Sequence, residues 1–263
     1  MIKIARVPLP PALADQLTVR TAQLRAANTV TARRAWQSAR RERHGIREQL
    51  GQMAPGIERC MYCGDSRGTD IDHFEPIKER PAGTFEWPNH LLACSYCNSN
   101  RKRDLFPRDA GGLALLIDPT ADDPVLHLRL VLRTGTYFPL SPQGSATIEV
   151  FGLNLRGLPR GRANAFEVAK AALCRAHDLL GRGLLTETVD CLLALIEQPH
   201  ASVLQEMLRS APAPGATDVL GTDVVAALAA LDTTLRRLPG QLPASGGSAG
   251  RATASGGSAV VAM

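Results

Sequence analysis

The stretch that decides the fold opens with CMYC (Cys60–Cys63) and continues through IDHFEPIKERPAGTFEWPNHLLACSYCNSNRK (Ile71–Lys102). Two Cys-x-x-Cys pairs, Cys60/Cys63 and Cys94/Cys97, enclose thirty residues. Four thiolates delivered by two turns are the ligand set of a closed tetrahedral structural zinc site, with a redox pair or an iron–sulfur cluster as the alternatives. A zinc that only staples a ribbon needs no insert of this length. One that clamps the two ends of a working unit does.

Inside the bracket, Asp72 and His73 are adjacent. On an extended strand they face opposite ways, so the expectation is a turn or bulge before Pro76 that lets both reach one site. Asn98 follows the last cysteine directly, and the knuckle therefore fixes its aim. A carboxylate and an amide oxygen are hard ligands suited to Mg2+ or Mn2+ with water in the remaining positions. His73, left free of metal, accepts a proton near neutral pH. Water, base, hard cation and a basic surface together describe phosphodiester cleavage.

The composition agrees. Of 263 residues, 44% are hydrophobic and 21% charged, the balance of a water-soluble globular protein. The net charge of +5 is unevenly spread: residues 1–106 hold 17 Lys/Arg against 11 Asp/Glu, and the remainder 13 against 14. The positive excess lies with the unusual motif, and a polyanion is the partner it favours. No apolar run reaches membrane-spanning length, and the opening MIKIARVPLPPALADQ lacks the apolar stretch of a secretory signal, so the expected location is cytoplasmic, with no membrane partner. In that compartment paired cysteines favour metal over disulfides. Cys174 and Cys191 sit in apolar helical patterns and are expected in the core.

Outward from the motif, residues 1–57 form a basic, helical region in which Asp15 and Thr31 are candidate caps or first-turn residues and Gly45 weakens the second helix. That second helix carries Arg33, Arg34, Arg40, Arg41, Arg43 and Arg47. Residues 58–106 hold the cysteine-bracketed unit. In residues 107–240, PVLHLRLVLRTGTYFPL predicts a hairpin turning at Thr134-Gly135, SATIEVFGL predicts a third strand, and four helices follow from Arg162. His177 and His200 are expected to be ordinary surface or core residues. Residues 241–263, rich in Gly, Ser and Ala, are expected to be disordered. The predicted class is α+β, a small zinc-stapled core set among helices with an added β-hairpin and a helical scaffold.

The pattern CMYC…DIDHFEP…PNHLLACSYCNSNRK resembles the HNH, ββα-metal or His-Me finger, endonuclease motif, in the subset with two zinc knuckles. The resemblance implies that His73 is the general base, that Asp72 and Asn98 hold the catalytic Mg2+ or Mn2+, and that Asn89 braces the loop and orients the base. Many members have His at the last position, which makes this an H-N-N variant. Arg101, Lys102 and Arg103 are placed to hold phosphates; Asp70 is a candidate second ligand. His90, Phe85 and Trp87 are expected to pack or anchor the loop. The outer segments are more distantly similar to the HNH nuclease of Septu-type antiphage defence systems, which works with an ABC-type ATPase partner. Three functions follow: a metal-dependent endonuclease acting on DNA, a zinc-stapled nucleic-acid-binding or scaffold module without catalysis, and a nuclease kept silent until a partner releases it.

Overall fold

A computed structural model describes residues 1–238. The region of residues 241–263 expected to be disordered lies outside them. Three helices lead the chain, α1 (Pro11–Gln23), α2 (Thr29–Ser38) and α3 (Arg40–Met53). The sequence predicted two; the chain is broken again at Ala39, whose φ of −82° and ψ of 56° are not helical. Asn28 caps α2 by accepting the Thr31 N–H at 2.9 Å, so Thr31 is a first-turn residue and the cap lies three residues earlier. Gly45 sits inside α3, where a Cβ would approach Leu13 Cδ2 to 3.0 Å. It permits the close crossing of α1 and α3.

The central unit is one antiparallel pair, β1 (Asp70–His73) with β2 (His90–Ala93), followed by a π-helix over Tyr96–Lys102. The register sets Asp70 opposite Ala93 and His73 opposite His90. A second antiparallel pair, β3 (Leu128–Val131) with β4 (Thr136–Pro139), is the predicted hairpin. Gly135 takes φ 66° at its turn, and a Cβ there would lie only 1.9 Å from the Pro159 carbonyl oxygen.

The predicted third strand is instead a helix, α4 (Pro142–Phe151). Ser141 accepts the Gly144 N–H at 3.1 Å, Pro142 occupies the first turn, and Gly152 ends the helix in the left-handed conformation. Thr147 and Phe151, one turn apart, are its fully buried positions. The alternation of Ile148 and Val150 suggested a strand, but these boundary residues decide the segment. Five helices, not four, complete the described residues: α5 (Leu158–Gly181), α6 (Leu185–Ile196), α7 (Ala201–Ser210), the short α8 (Ala216–Leu220) and α9 (Thr222–Arg237).

Apolar residues from along the described part of the chain meet in one core, from Ile4 and Leu50 through Leu91 and Phe151 to Leu173 and Leu231. Cys174 and Cys191 are half-buried against it. The amino-terminal segment threads into the centre, where the Arg6 guanidinium donates to the carbonyls of Trp87, Pro88 and His90 and to Thr120 Oγ1. One side chain thus locks the entry to β2.

Candidate functional site

The four cysteines gather at one end of the β1–β2 pair. Cys60, Cys63, Cys94 and Cys97 are buried, and their four sulfurs all lie within 4.8 Å of one another, with Cys63 Sγ and Cys94 Sγ 3.9 Å apart. Tetrahedral zinc with Zn–S bonds of about 2.3 Å spaces its sulfurs by roughly 3.8 Å, so the cluster has the dimensions and the soft donors of a structural zinc site. It joins the loop before β1 to the turn after β2. Met61 N–H also donates to Leu92 O at 2.8 Å, continuing the pairing outward.

β1 presents alternate residues to its two faces. No turn or bulge brings Asp72 and His73 together: both lie within the regular strand and are buried on different partners. Asp72 Oδ2 accepts the Tyr62 hydroxyl at 2.5 Å, and Asp72 Oδ1 accepts from Lys102 Nζ at 3.0 Å. Lys102 Nζ also donates to the His73 carbonyl at 2.6 Å and is fully buried. The sequence placed Lys102 on the phosphate-facing surface. The π-helix turns it inward, where Asp72 is its counter-charge. Burial raises the Asp72 carboxyl above the usual range, with Lys102 and the Tyr62 hydroxyl opposing the shift.

Asn98 points elsewhere. Its Nδ2 donates to Asp70 Oδ2 at 3.2 Å, and Ser99 Oγ donates to the same oxygen at 3.3 Å. The predicted ligand pair Asp72 and Asn98 is therefore held on separate partners, and Asp72 already has a cation on it. The half-exposed oxygen donors are those of Asp70 and Asn98.

On the other face, His73 Nε2 and His90 Nε2 lie 3.0 Å and 2.9 Å from the Thr84 carbonyl oxygen. A carbonyl only accepts, so both rings carry their proton on Nε2 and leave Nδ1 as the basic nitrogen. Burial, the dominant cause, lowers the His73 pKa from the usual 6.5 to about 4, and holds His90 well below its usual range. Both rings are neutral at pH 7. Asn89 braces the loop above them: its Oδ1 accepts the Glu75 N–H at 2.8 Å, and its Nδ2 donates to the carbonyls of Glu75 and Gly83 at 3.0 and 3.1 Å. Phe85 is buried; Trp87 anchors its indole N–H on the Val7 carbonyl at 3.0 Å.

Sequence inspection missed Trp36. From α2 its ring meets His73 edge-on at 4.5 Å and stacks on His90 at 5.3 Å, with the Arg43 guanidinium 5.5 Å from its own centroid. Under that cover His73 is 9% exposed. Only the amphipathic face of α2 hinted at such packing, and nothing local gave the partner. Arg33 and Arg43 are close enough to His73 to disfavour its protonated form. Arg34, Arg40 and Arg43 are exposed and make no ion pair among the described residues. Arg101 is committed to the carbonyls of Glu149 and Val150 at the end of α4, and Arg103 is exposed at φ 52°.

The zinc-sized thiolate cluster, the β1–β2 pair and the helix after it, in this order, carry the identity of the unit. Residues 60–104 match the family model described as HNH endonuclease. No curated protein matches the chain at a significant level. The HNH domain fills under a fifth of the chain, and the helices on either side are what buries and covers its site.

Two outcomes follow for this domain. Metal analysis of the purified protein should find about one zinc per chain, and Cys94→Ser should abolish cooperative melting, because the binding free energy of such a site is folding free energy; a zinc-free protein with the wild-type melting curve would refute the assignment. As pH falls, the unfolded chain protonates His73 near 6.5 and the folded chain only near 4. Stability is therefore full above about pH 6.5, declines between there and about pH 4, and levels off below. The His73 contribution lost by pH 5 is about 2 kcal/mol. Urea denaturation at pH 7.5 and 5 should show a smaller loss in His73→Asn than in wild type.

Proposed function

We propose that the protein is a nuclease of the HNH type that hydrolyses phosphodiester bonds in DNA, with His73 as general base. The observation that carries this reading is the His73 ring: neutral, with Nε2–H fixed on the Thr84 carbonyl and Nδ1 left as the proton acceptor. In hydrolysis Nδ1 takes the proton of a water that attacks phosphorus, and the 3′ oxygen leaves. Asn89 and Lys102 are positioning residues. The first holds the loop that supplies Thr84, and the second fixes the His73 backbone through its carbonyl.

A Mg2+ or Mn2+ ion, when bound, would supply Lewis-acid charge to backbone phosphates that meet the Asp70 face of β1, opposite the His73 ring. Asn98, with its amide turned to present Oδ1, and Asp70 are the residues that would hold it, while Asp72 stays with Lys102. The basic helices α2 and α3 bring Arg33 and Arg43 near His73, and Arg34 and Arg40 add exposed charge on the same helices for phosphates to meet. Such contacts make binding steeply salt-dependent. A role in antiphage defence beside an ABC-type ATPase belongs to the same proposal and rests on the resemblance; no helix among the described residues is long and apolar enough to cross a membrane.

The cover over His73 favours the reading in which the resting nuclease is closed. A base that is 9% exposed does not reach a phosphate until Trp36 moves. Within α2 only Ala32 is fully buried; the helix is otherwise held by Trp36, half-buried against His73, Phe85 and His90, and by the Arg33–Asp104 ion pair at 3.0 Å.

Single-turnover cleavage of plasmid with Mg2+ or Mn2+ tests the roles. His73→Ala should lose at least a hundredfold in rate with DNA affinity unchanged. Asp70→Asn should weaken Mn2+ binding, read by its paramagnetic resonance signal, whereas Asp72→Asn should lower the melting temperature sharply because it leaves the Lys102 ammonium buried and unpaired. Wild-type cutting by a folded His73→Ala protein refutes the mechanism; unchanged Mn2+ binding by Asp70→Asn removes Asp70 from it.

A further inference from the structure

Away from the HNH site, on the far side of the zinc knuckle, lies a cavity of about 650 Å3. It is enclosed by the end of α3, the knuckle loop at Asp65, the first turns of α5, and the α6–α7 connection. Its size is that of a small-molecule site, and it sits where the helical scaffold meets the zinc-stapled unit.

The chain is built around one residue of its wall. His200 is 4% exposed and holds φ 65° and ψ 48°, a left-handed conformation that costs a residue with a Cβ. Its N–H donates to the Gly64 carbonyl at 2.7 Å, and its Nε2 lies 3.2 Å from Asp65 Oδ1. Gly161 makes room for the ring, since a Cβ there would stand 2.6 Å from Nε2. With Nε2–H given to the carboxylate, Nδ1 is an acceptor, and it is buried with no hydrogen-bond partner. Closed off from the cavity, that nitrogen takes no part in the ligand site, and the ring serves to hold Asp65 at the wall.

The rest of the wall has the same polarity. Asp65 and Glu197 line the cavity, Gln52, Asn164 and Gln198 add amides, and no Lys or Arg lines it, in a chain of net charge +5. The carbonyl end of α6 and the amino end of α7 both border it, so the two helix dipoles offset there and the acidic side chains set the sign. Val168, Leu195 and Leu204 supply apolar surface. Phosphates are repelled by such a wall, and a positive donor with a hydrocarbon stem is matched by it.

We propose that this cavity binds an ammonium or guanidinium group carried on an aliphatic stem, with Glu197 and Asp65 as counter-charges and the apolar wall receiving the stem. Such a group comes either from a free amine or from a basic side chain of another protein. A ligand here touches α3, the knuckle loop and the scaffold at once, so it ties the helices to the zinc-stapled unit. The site stands independently of the nuclease assignment.

Titration calorimetry on the full-length zinc-loaded protein tests it with agmatine, spermidine, an acetylated Gly-Arg-Gly peptide and, as the anionic control, adenosine monophosphate. Saturable binding of the cations and none of the nucleotide is expected. Glu197→Lys, at an exposed position, should weaken it at least tenfold, and Ala165→Leu, which fills the cavity from α5, should do the same. Tighter binding of the peptide than of agmatine identifies a protein side chain as the source, and the reverse a free amine. The proposal is overturned by absence of saturable cation binding at millimolar concentration, by equal binding of the nucleotide, or by cation affinity unchanged in Glu197→Lys; if Ala165→Leu does not fold, Glu197→Lys alone decides.

Discussion

A lysine ammonium sealed inside a protein must be matched, and the match between Lys102 and Asp72 organises the HNH domain. Lys102 Nζ reaches both the Asp72 carboxylate and the His73 carbonyl, so the helix end is tied to two consecutive residues of β1. Removing either charge would strand the other in a site that water does not reach. The Tyr62 hydroxyl completes the carboxylate, and the Tyr62 ring stacks on Phe151 at 3.9 Å, which extends the same network into α4. The π-helical winding over Tyr96–Lys102 is what makes this possible. It carries Arg103 N–H to the Asn98 carbonyl at 2.8 Å and swings the following residues around by part of a turn.

Around that pair, the two faces of β1 have different duties. The Asp70 and Asp72 face meets the helix and its amide and ammonium groups; the His73 face meets Thr84, His90 and Trp36. A single carbonyl, Thr84 O, fixes the tautomer of both histidines. Asn89 secures the turn that delivers it, and Arg6 secures the carbonyls on either side of Asn89 from a segment more than eighty residues away in sequence. The His73 ring is therefore oriented by backbone groups held at several points, and no carboxylate among the described residues touches it.

What the sequence made legible follows from how local each signal is. The paired cysteines, the hairpin at Gly135 and the helical character of the termini depend on spacing and turn chemistry within a few residues. The burial of Lys102 was not legible, because a single extra residue per turn changes which side chain faces inward and no spacing rule announces a π-helix. Nor was the separation of Asp72 from Asn98, since adjacency to a cysteine fixes where an amide starts but not which carboxylate it meets. In α4 the helix boundaries, Ser141 with Pro142 and Gly152, outweighed a short β-branched run. Trp36 and Arg6 reach their partners across the fold, and their roles exist only once α2 and the amino-terminal segment have been placed.

The arginines of α2 and α3 acquire a double consequence from this arrangement. They lie on helices that cover His73, and in the proposed function they also meet the phosphates. On moving, α2 gives up the Trp36 contacts and the Arg33–Asp104 ion pair, while in the proposed function each phosphate it engages would release condensed counterions. The substrate would thus supply the work that uncovers the base. Arg43, from α3, rests on the Trp36 ring, so in that proposal a strand that draws Arg43 away would remove one contact from the cover of His73. Under this proposed coupling, covering His73 falls to Trp36 of α2 and meeting the polyanion to arginines of both α2 and α3, two adjoining helices in contact through the Trp36 ring.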